Sequence, residues 1–142
     1  MDSQYPLSVL VVEDDEPARE ILISVLVLKF PNISFYTADN GKSGLAQFRA
    51  HLPRVAITDI NMPVMDGIRM AEEIKLIADG VTFIVLSAFS DRTVLGAARA
   101  AGLEISHCLL KPVDYKALFA AVEQTLAETG CIVVRTTQSG ES

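Results

Sequence analysis

Polar side chains that suit metal or phosphoryl chemistry stand at the ends of apolar runs in this chain of 142 residues. They share one position, at or just past the carboxyl end of a run, and they are Glu13, Asp14, Asp15, Asp59, Asn61, Ser87 and Lys111. Carboxylates gathered in one crevice repel each other unless a cation offsets the repulsion. Oxygen ligands without His or Cys select hard divalent ions, and few protein ligands with room for water suit Mg²⁺ best. The sequence therefore predicts a magnesium site, if these runs end at one edge of a sheet.

The same residue types fit phosphoryl transfer to a carboxylate. An aspartate can attack phosphorus and form an aspartyl phosphate. A metal ion, a lysine ammonium and a hydroxyl can then hold the phosphoryl oxygens as charge shifts. Asp59 ends the apolar run VAITD, so a rigid strand would aim this nucleophile, while Lys111 and Ser87 would supply the ammonium and the hydroxyl.

Short β-branched runs alternate with longer segments of helical pattern along the chain. The predicted strands are 8–12, 33–38, 54–59, 81–87 and 106–111, and the predicted helices are about 16–30, 40–51, 67–78, 91–101 and 114–128. Short apolar strands joined by helices predict right-handed crossovers and a parallel sheet covered on both faces. Ligands bind such sheets beyond the carboxyl ends of the strands, where the polar residues stand.

The composition restricts the classes of partner. Half of the residues are apolar and the formal net charge is -6, which fits one compact domain. The chain has no Lys/Arg cluster, so no nucleic-acid partner is expected. No apolar run reaches the roughly 18 to 20 residues of a membrane span, so we expect no membrane partner and a cytoplasmic location.

Four motifs, taken together and in this order, resemble the receiver domains of two-component response regulators. They are VLVVEDD at 9–15, DINMPVMDG at 59–67, VLSA at 85–88 and LLKPVD at 109–114, and the resemblance covers roughly residues 8–128. It implies a flavodoxin-like three-layer α/β/α fold with a five-stranded parallel sheet in the order 2-1-3-4-5. Residues 1–129 would form the receiver domain. Residues 130–142 would form a tail or linker remnant, in which CIVV either stays flexible, packs on the domain or forms an edge strand.

The resemblance implies a role for each acidic residue of the motifs. Asp59 resembles the phosphoacceptor, and it would also bind Mg²⁺. Asp14 resembles a direct ligand of the metal, and Glu13 resembles the acidic neighbour that acts through water. Asn61 would offer its backbone carbonyl to the ion.

The resemblance also implies how phosphorylation changes the conformation of the domain and which proteins are its partners. Lys111 would pair with the phosphoryl group and precede a cis bond to Pro112, and Ser87 would be the switch hydroxyl with the amide of Ala88 beside it. The protein would be a phosphoacceptor rather than an enzyme. Its donor would be a sensor histidine kinase or a histidine phosphotransfer protein, and its downstream partner is left open.

Two departures from the family pattern concern the switch. Cys108 stands three residues before Lys111, where the family usually has Tyr or Phe, and about two extra residues lie between Gly102 and Lys111. We therefore expect weaker or different coupling at the face of the fourth helix and fifth strand. Cys108 is predicted to be a small buried hydrophobe, and Phe89 is predicted to cover the acceptor and to slow hydrolysis.

Two other functions remain open from the sequence. A pseudo-receiver would use the same fold only as a binding module. A magnesium-dependent phosphohydrolase with an aspartate nucleophile would need a second Asp two residues later as general acid, where this chain has Asn61. Separately, the stripe ILISVLVL is expected to pack in the core, and any part of it that faces outward would form a partner surface or a homodimer interface.

Overall fold

A central parallel sheet organises the molecule. The computed structural model of the protein describes residues 7–128 and 133–134. The long strands are β1 (Ser8–Val12), β2 (Ser34–Ala38), β3 (Val55–Asp59), β5 (Thr82–Ser87) and β6 (Ile105–Leu110), and the two short strands are β4 (Ala78–Asp79) and β7 (Val133–Val134). The five long strands form one sheet in the order β2-β1-β3-β5-β6. Since β4 and β7 lie outside this sheet, the order is the predicted 2-1-3-4-5, and the predicted fold class is confirmed.

Helices connect the parallel strands and begin where the sequence predicts, to within about one residue. They are α1 (Glu16–Lys29), α2 (Gly41–His51), α3 (Gly67–Ile77), α4 (Arg92–Ala100) and α5 (Tyr115–Glu128), and a 3-10 turn at Phe89–Asp91 precedes α4. Side-chain caps explain several of the starts. Asp15 accepts from the amide of Ala18 at α1, and Asn40 accepts from the amide of Ser43 at α2.

The central strands are buried on both faces, which is why they read as continuous apolar runs. Every residue of β1 and of β3 is buried. Alternate side chains enter two separate cores, because successive residues of a strand point to opposite faces. On one face Val9 and Val11 pack with α1 and α5, and on the other Leu10 and Val12 pack with α2 and α3.

A β-bulge near the start of β6 absorbs part of the extra sequence before Lys111. Phe83 pairs with Ile105 and Ile84 pairs with His107, so Ser106 has no partner in the register. Its hydroxyl instead lies 3.1 Å from the hydroxyl of Thr125 on α5. The bulge takes up one residue in the first half of the strand, so the strand still delivers its end to the sheet edge.

Cys108 was predicted to be a buried hydrophobe, but it is less buried than predicted. Its side chain packs against the core on one side but is only half-buried. A guanidinium nitrogen of Arg99, on α4, donates a hydrogen bond of 3.3 Å to the sulfur. Arg99 is itself exposed, and its guanidinium also donates to the backbone carbonyl of Ile105 in the same strand.

The chain after α5 returns to the domain at two described residues. Val134 pairs with Ala78 and Val133 pairs with Asp79, in an antiparallel arrangement. Of CIVV, the structure describes only residues 133–134, which form a short strand with β4 outside the central sheet. Residues 129–132 and 135–142 lie outside the described part, so the prediction for the tail as a whole stays a prediction. Among the described residues, no helix combines the length and the apolar character that a membrane span requires.

Candidate functional site

Three carboxyl groups meet at the carboxyl edge of the sheet. Glu13 and Asp14 directly follow β1, and Asp59 is the last residue of the neighbouring strand β3. One carboxylate oxygen from each residue lies within 4.8 Å of the others. Glu13 and Asp59 are 3% and 7% exposed, whereas Asp14 is exposed to solvent. The parallel register of β1 and β3 therefore brings together acids that are far apart in sequence.

Lys111 offsets part of this negative charge. Its ammonium lies 2.7 Å from Oδ2 of Asp59 and 3.5 Å from Oε1 of Glu13. The lysine follows β6, and its backbone amide donates to the carbonyl of Ser87 at 2.9 Å, which fixes the start of the loop. Partial burial acts to lower the pKa of Lys111, but the hydrogen bond and charge of Asp59 and the charge of Glu13 outweigh it and raise the pKa. The predicted cis bond between Lys111 and Pro112 is confirmed.

Hydrogen bonds hold Glu13 in place, although burial and the charge of Asp59 disfavour a negative charge on its carboxyl group. Oε2 accepts from the amide of Asp15 at 3.1 Å, and the backbone carbonyl of Glu13 accepts from the guanidinium of Arg19 at 2.8 Å. Burial raises the pKa of the Glu13 carboxyl most, the amide of Asp15 lowers it, and the charge of Asp59 raises it further. The carboxyl therefore binds its proton more tightly in the folded protein than in the unfolded chain.

The raised pKa of Glu13 predicts a pH dependence of stability in the metal-free protein. As pH rises above the ordinary value of 4.5, the folded state holds the Glu13 proton longer than the unfolded state does. Its contribution to the free energy of unfolding therefore falls with rising pH until the folded carboxyl has ionised. We expect Glu13→Gln to flatten this part of the profile in urea melts with a chelator. An identical slope in this variant would contradict the assignment, and exposed Glu72→Gln is the control.

Backbone groups of the β3–α3 loop hold the acceptor Asp59 in place. Oδ1 of Asp59 accepts from the amide of Ile60 at 2.9 Å, and the carbonyl of Ile60 accepts from the amide of Gly67 at 2.8 Å. A Cβ at Gly67 would collide with the backbone oxygen of Asp59, so only glycine permits this close approach. Asp66 then caps α3 by accepting from the amide of Arg69. The Asp66-Gly67 pair thus turns the loop into its helix.

Ser87 and Asn61 lie at the same edge of the sheet as the three carboxyl groups, and the side chain of Asn61 is engaged with Asp91. Ser87 is buried at the end of β5, beside the strand that carries Asp59. The side-chain amide of Asn61 donates to Oδ1 of Asp91 at 3.2 Å, and Oδ2 of Asp91 accepts from the amide of Ala88 at 2.9 Å. Sequence reasoning used Asp91 only as a helix start. Its position four residues after Ser87, at the predicted start of the fourth helix, was the available signal.

Phe89 is exposed in this structure rather than enclosed. Its side chain belongs to the 3-10 turn before α4, and the guanidinium of Arg92 lies 5.0 Å from the centre of its ring. The cation stacks on the ring face at the surface. The predicted effect of Phe89 on hydrolysis stays a prediction.

The donor set fits a hard divalent ion. The clustered ligand atoms are carboxylate oxygens of Glu13, Asp14 and Asp59, with no His or Cys among them. One lysine is paired with two of these three groups, and burial together with the charge of Asp59 already raises the pKa of Glu13. Such a site is short of positive charge, and Mg²⁺ is the ion that a small set of carboxylates with room for water selects.

Comparison with known proteins identifies the family. The sequence profile of the response regulator receiver domain matches residues 9–123. The transcriptional regulatory protein ZraR of Escherichia coli strain K12 is 30% identical over 131 residues, which are 92% of this chain and 29% of that protein. The crystal structure of the N-terminal domain of an uncharacterized protein from Wolinella succinogenes is 35% identical, with a TM-score of 0.77 over 85% of this chain and 94% of that one. A receiver domain protein from Clostridium thermocellum is 25% identical, with a TM-score of 0.74 over the same shares.

The chain belongs to the response regulator receiver domain family. Receiver domains are the regulatory phosphoacceptor domains of two-component signal transduction, and they receive the phosphoryl group from a histidine kinase or phosphotransfer partner. The chain spans less than a third of the length of ZraR, 29%. What ZraR does as a whole protein is therefore not carried over to this chain.

Proposed function

We propose that the protein is a phosphorylation-controlled switch in which Asp59 accepts a phosphoryl group from a phosphohistidine. The donor is a sensor histidine kinase or a histidine phosphotransfer protein, and the reaction depends on Mg²⁺. The observation that carries the proposal is the meeting of Asp59 with Glu13, Asp14 and the ammonium of Lys111 at one sheet edge. A buried nucleophile beside other acids and a cation is the arrangement that phosphoryl transfer to a carboxylate requires.

The chemical step moves one phosphoryl group between two nucleophiles. A carboxylate oxygen of Asp59 attacks phosphorus, the bond from phosphorus to the imidazole nitrogen breaks, and the imidazole leaves with that electron pair. Lys111 stands beside the acceptor and neutralises charge on the phosphoryl oxygens. The hydroxyl of Ser87 donates a hydrogen bond to one of these oxygens. Asp14, Asp59 and the backbone carbonyl of Asn61 would hold Mg²⁺, with Glu13 acting through water. When bound, the ion supplies charge neutralisation and alignment.

Phosphorylation of Asp59 adds negative charge at the carboxyl edge of the sheet, and this charge changes the conformation of the loop after β5. A phosphoryl group adds about -1.5 to -2 charge at pH 7. Ser87 and the loop after it move toward the new oxygens, and α4 follows because the loop leads directly into it. Because Cys108 replaces the usual aromatic residue, the response at the α4 and β6 face lacks an aromatic swing at this position.

The two rival functions have less support. Asn61 stands where an aspartate phosphohydrolase needs its general acid, and an amide cannot deliver that proton. Its side chain is instead engaged with Asp91. A pseudo-receiver would have no use for a lysine held 2.7 Å from an aspartate within an acidic cluster. Both points favour a phosphoacceptor that turns over no small substrate.

Substituting the acceptor tests the proposal. We expect the wild type to gain one phosphoryl group when it is incubated with Mg²⁺ and a small acyl phosphate, and Asp59→Asn to gain none, because an amide is not a nucleophile toward phosphorus. Intact-mass spectrometry measures both. Asp66→Asn is the control, since it removes the same charge in the same loop and leaves a good cap for α3. Equal labelling of Asp59→Asn and wild type would overturn the proposal.

The groove beside the acceptor is where we place the phosphohistidine donor. It has a volume of about 370 Å³, and Glu13 and Lys111 line it together with apolar residues of α1 and of the β6–α5 loop, among them Ile21, Leu22 and Pro112. A donor imidazole must reach Asp59, so its protein must contact surface that is continuous with the acceptor. Of the ILISVLVL stripe, Leu22 and Leu26 pack in the core, but Ile21 is 50% exposed at this groove.

A charge in this groove is expected to separate protein donors from small ones. Ile21→Lys should slow phosphotransfer from a phosphorylated histidine phosphotransfer domain by about tenfold or more, because it places a charge in an apolar contact. Labelling by a small acyl phosphate should stay unchanged. Leu28→Lys, two turns further along α1 and 82% exposed, is the matched control. Unaltered transfer to Ile21→Lys would remove the docking assignment, and sedimentation would show whether two copies of the chain pair there instead.

A further inference from the structure

Asp91 is a buried carboxylate that joins the two loops flanking the acceptor. It is 7% exposed. Oδ1 accepts from the side chain of Asn61 in the β3–α3 loop at 3.2 Å, and Oδ2 accepts from the backbone amide of Ala88 in the β5–α4 loop at 2.9 Å. None of the roles described above uses this residue.

Capping accounts for only one of these contacts. The bond from the Ala88 amide to Asp91 is half of a capping box at the 3-10 turn, and the bond from Asn61 is not part of it. Asp91 occupies the N-cap position of α4, yet its carboxylate makes no capping hydrogen bond to that helix. The side chain points backwards instead, where it closes the 3-10 turn onto Ala88 and reaches across to Asn61. A cap of α4 would accept from the amides that follow it, and the bond from Asn61 connects the β5–α4 loop to the β3–α3 loop.

We propose that Asp91 is the resting occupant of the Ala88 amide and that the phosphoryl group on Asp59 displaces it. The inference rests on the proposed function, in which Ser87 meets a phosphoryl oxygen, and it adds that the amide of Ala88, the next residue, meets the phosphoryl group as well. The amide has a single hydrogen, which cannot serve two anions at full strength. A hydrogen bond to a charged acceptor is about twice as strong as a neutral one, so Asp91 is an effective competitor.

Displacement of Asp91 carries the signal to α4. Asp91 directly precedes Arg92, the first residue of that helix, so its backbone cannot move without moving the first turn. A buried carboxylate that loses its donors is costly, and it must therefore turn toward solvent. The same movement releases the side chain of Asn61 on the metal side of the site. Asp91 is thus a positioning residue that opposes phosphorylation and links it to α4.

The affinity for a phosphoryl mimic tests the competition. With saturating Mg²⁺, we expect beryllium trifluoride to bind about threefold more tightly to Asp91→Asn and about tenfold more tightly to Asp91→Ala than to wild type, because a weaker and then an absent acceptor leaves the amide free. Thr125→Val is the control. It removes a buried hydroxyl on α5 that bonds to the bulge at Ser106, far from the carboxyl edge, and it should leave the affinity unchanged.

Amide NMR of residues 88 and 92–95 gives the second measurement. On addition of the mimic, wild type should show large shifts there, and unliganded Asp91→Ala should already lie close to the liganded positions. If both Asp91 variants are folded but bind the mimic no more tightly than wild type, or if their α4 shifts are as large as in wild type, the inference is wrong. Failure of wild type itself to bind the mimic would instead count against the proposed function.

Discussion

Asp14→Ala is expected to lower the affinity for Mg²⁺ by about 10- to 100-fold, because it removes one charged ligand of the ion. Asp14 is exposed, so its loss should leave the fold intact and the change should report on the metal site alone. Labelling of Asp59 by a small acyl phosphate should fall in parallel at low millimolar Mg²⁺ and should recover in part at high Mg²⁺. Calorimetric titration of Mg²⁺ measures the affinity.

Asp15→Asn is the matched control for this experiment. Asp15 is the next residue, carries the same charge and caps α1 by accepting from the amide of Ala18, a bond that asparagine also makes. It contributes no oxygen to the three-carboxylate cluster. If both variants lose Mg²⁺ affinity equally, the effect is general electrostatics, and the assignment of Asp14 as a ligand is wrong.

Lys111→Gln is expected to destabilise the metal-free protein and to strengthen Mg²⁺ binding at the same time. Without the ammonium, the buried carboxylates of Glu13 and Asp59 lose their shared cation. Breaking a buried ion pair costs several kcal/mol, but the lysine side chain is 38% exposed and solvent screens the pair, so we expect a loss of about 1–3 kcal/mol. Urea melts with a chelator and with Mg²⁺ measure both effects.

The metal should compensate for the missing lysine. Binding to the folded state stabilises it by mass action, and the more negative site binds the ion more tightly. The free energy of unfolding of Lys111→Gln should therefore approach that of wild type at saturating Mg²⁺, while exposed Lys116→Gln should behave as wild type in both conditions. A loss of stability that is equal with and without Mg²⁺ would show that Lys111 does not share a site with the metal.

The meeting of the main site residues could be predicted from the sequence because it follows from topology. The carboxyl ends of parallel strands share an edge, so residues that end separate apolar runs must converge there. Asp14, Asp59 and Lys111 are such residues, and the structure places them at this edge. The fold follows in the same way from strict alternation of short buried strands and amphipathic helices.

The features that sequence reasoning missed depend on contacts between loops. Asp91 reads as the start of a helix, and only the folded positions of Asn61 and Ala88 reveal where its carboxylate points. The sequence showed that extra residues precede Lys111. It did not show that the bulge falls at Ser106, because the register of a strand is set by its pairing with the neighbouring strand. Because its sequence neighbours are apolar, Cys108 was predicted to be buried. The contact with Arg99 of α4 could not be predicted from the local sequence pattern.

The site of phosphorylation in the wild-type protein is the most direct measurement. The protein is incubated with a small acyl phosphate, once with Mg²⁺ and once with a chelator, and the modified residue is located by peptide mass spectrometry after rapid acid quenching. We predict one phosphoryl group on Asp59 with Mg²⁺ and almost none with the chelator. Modification at another residue, or equal modification of Asp59 in both conditions, would contradict the role of the acidic cluster as a metal-assisted phosphoacceptor site.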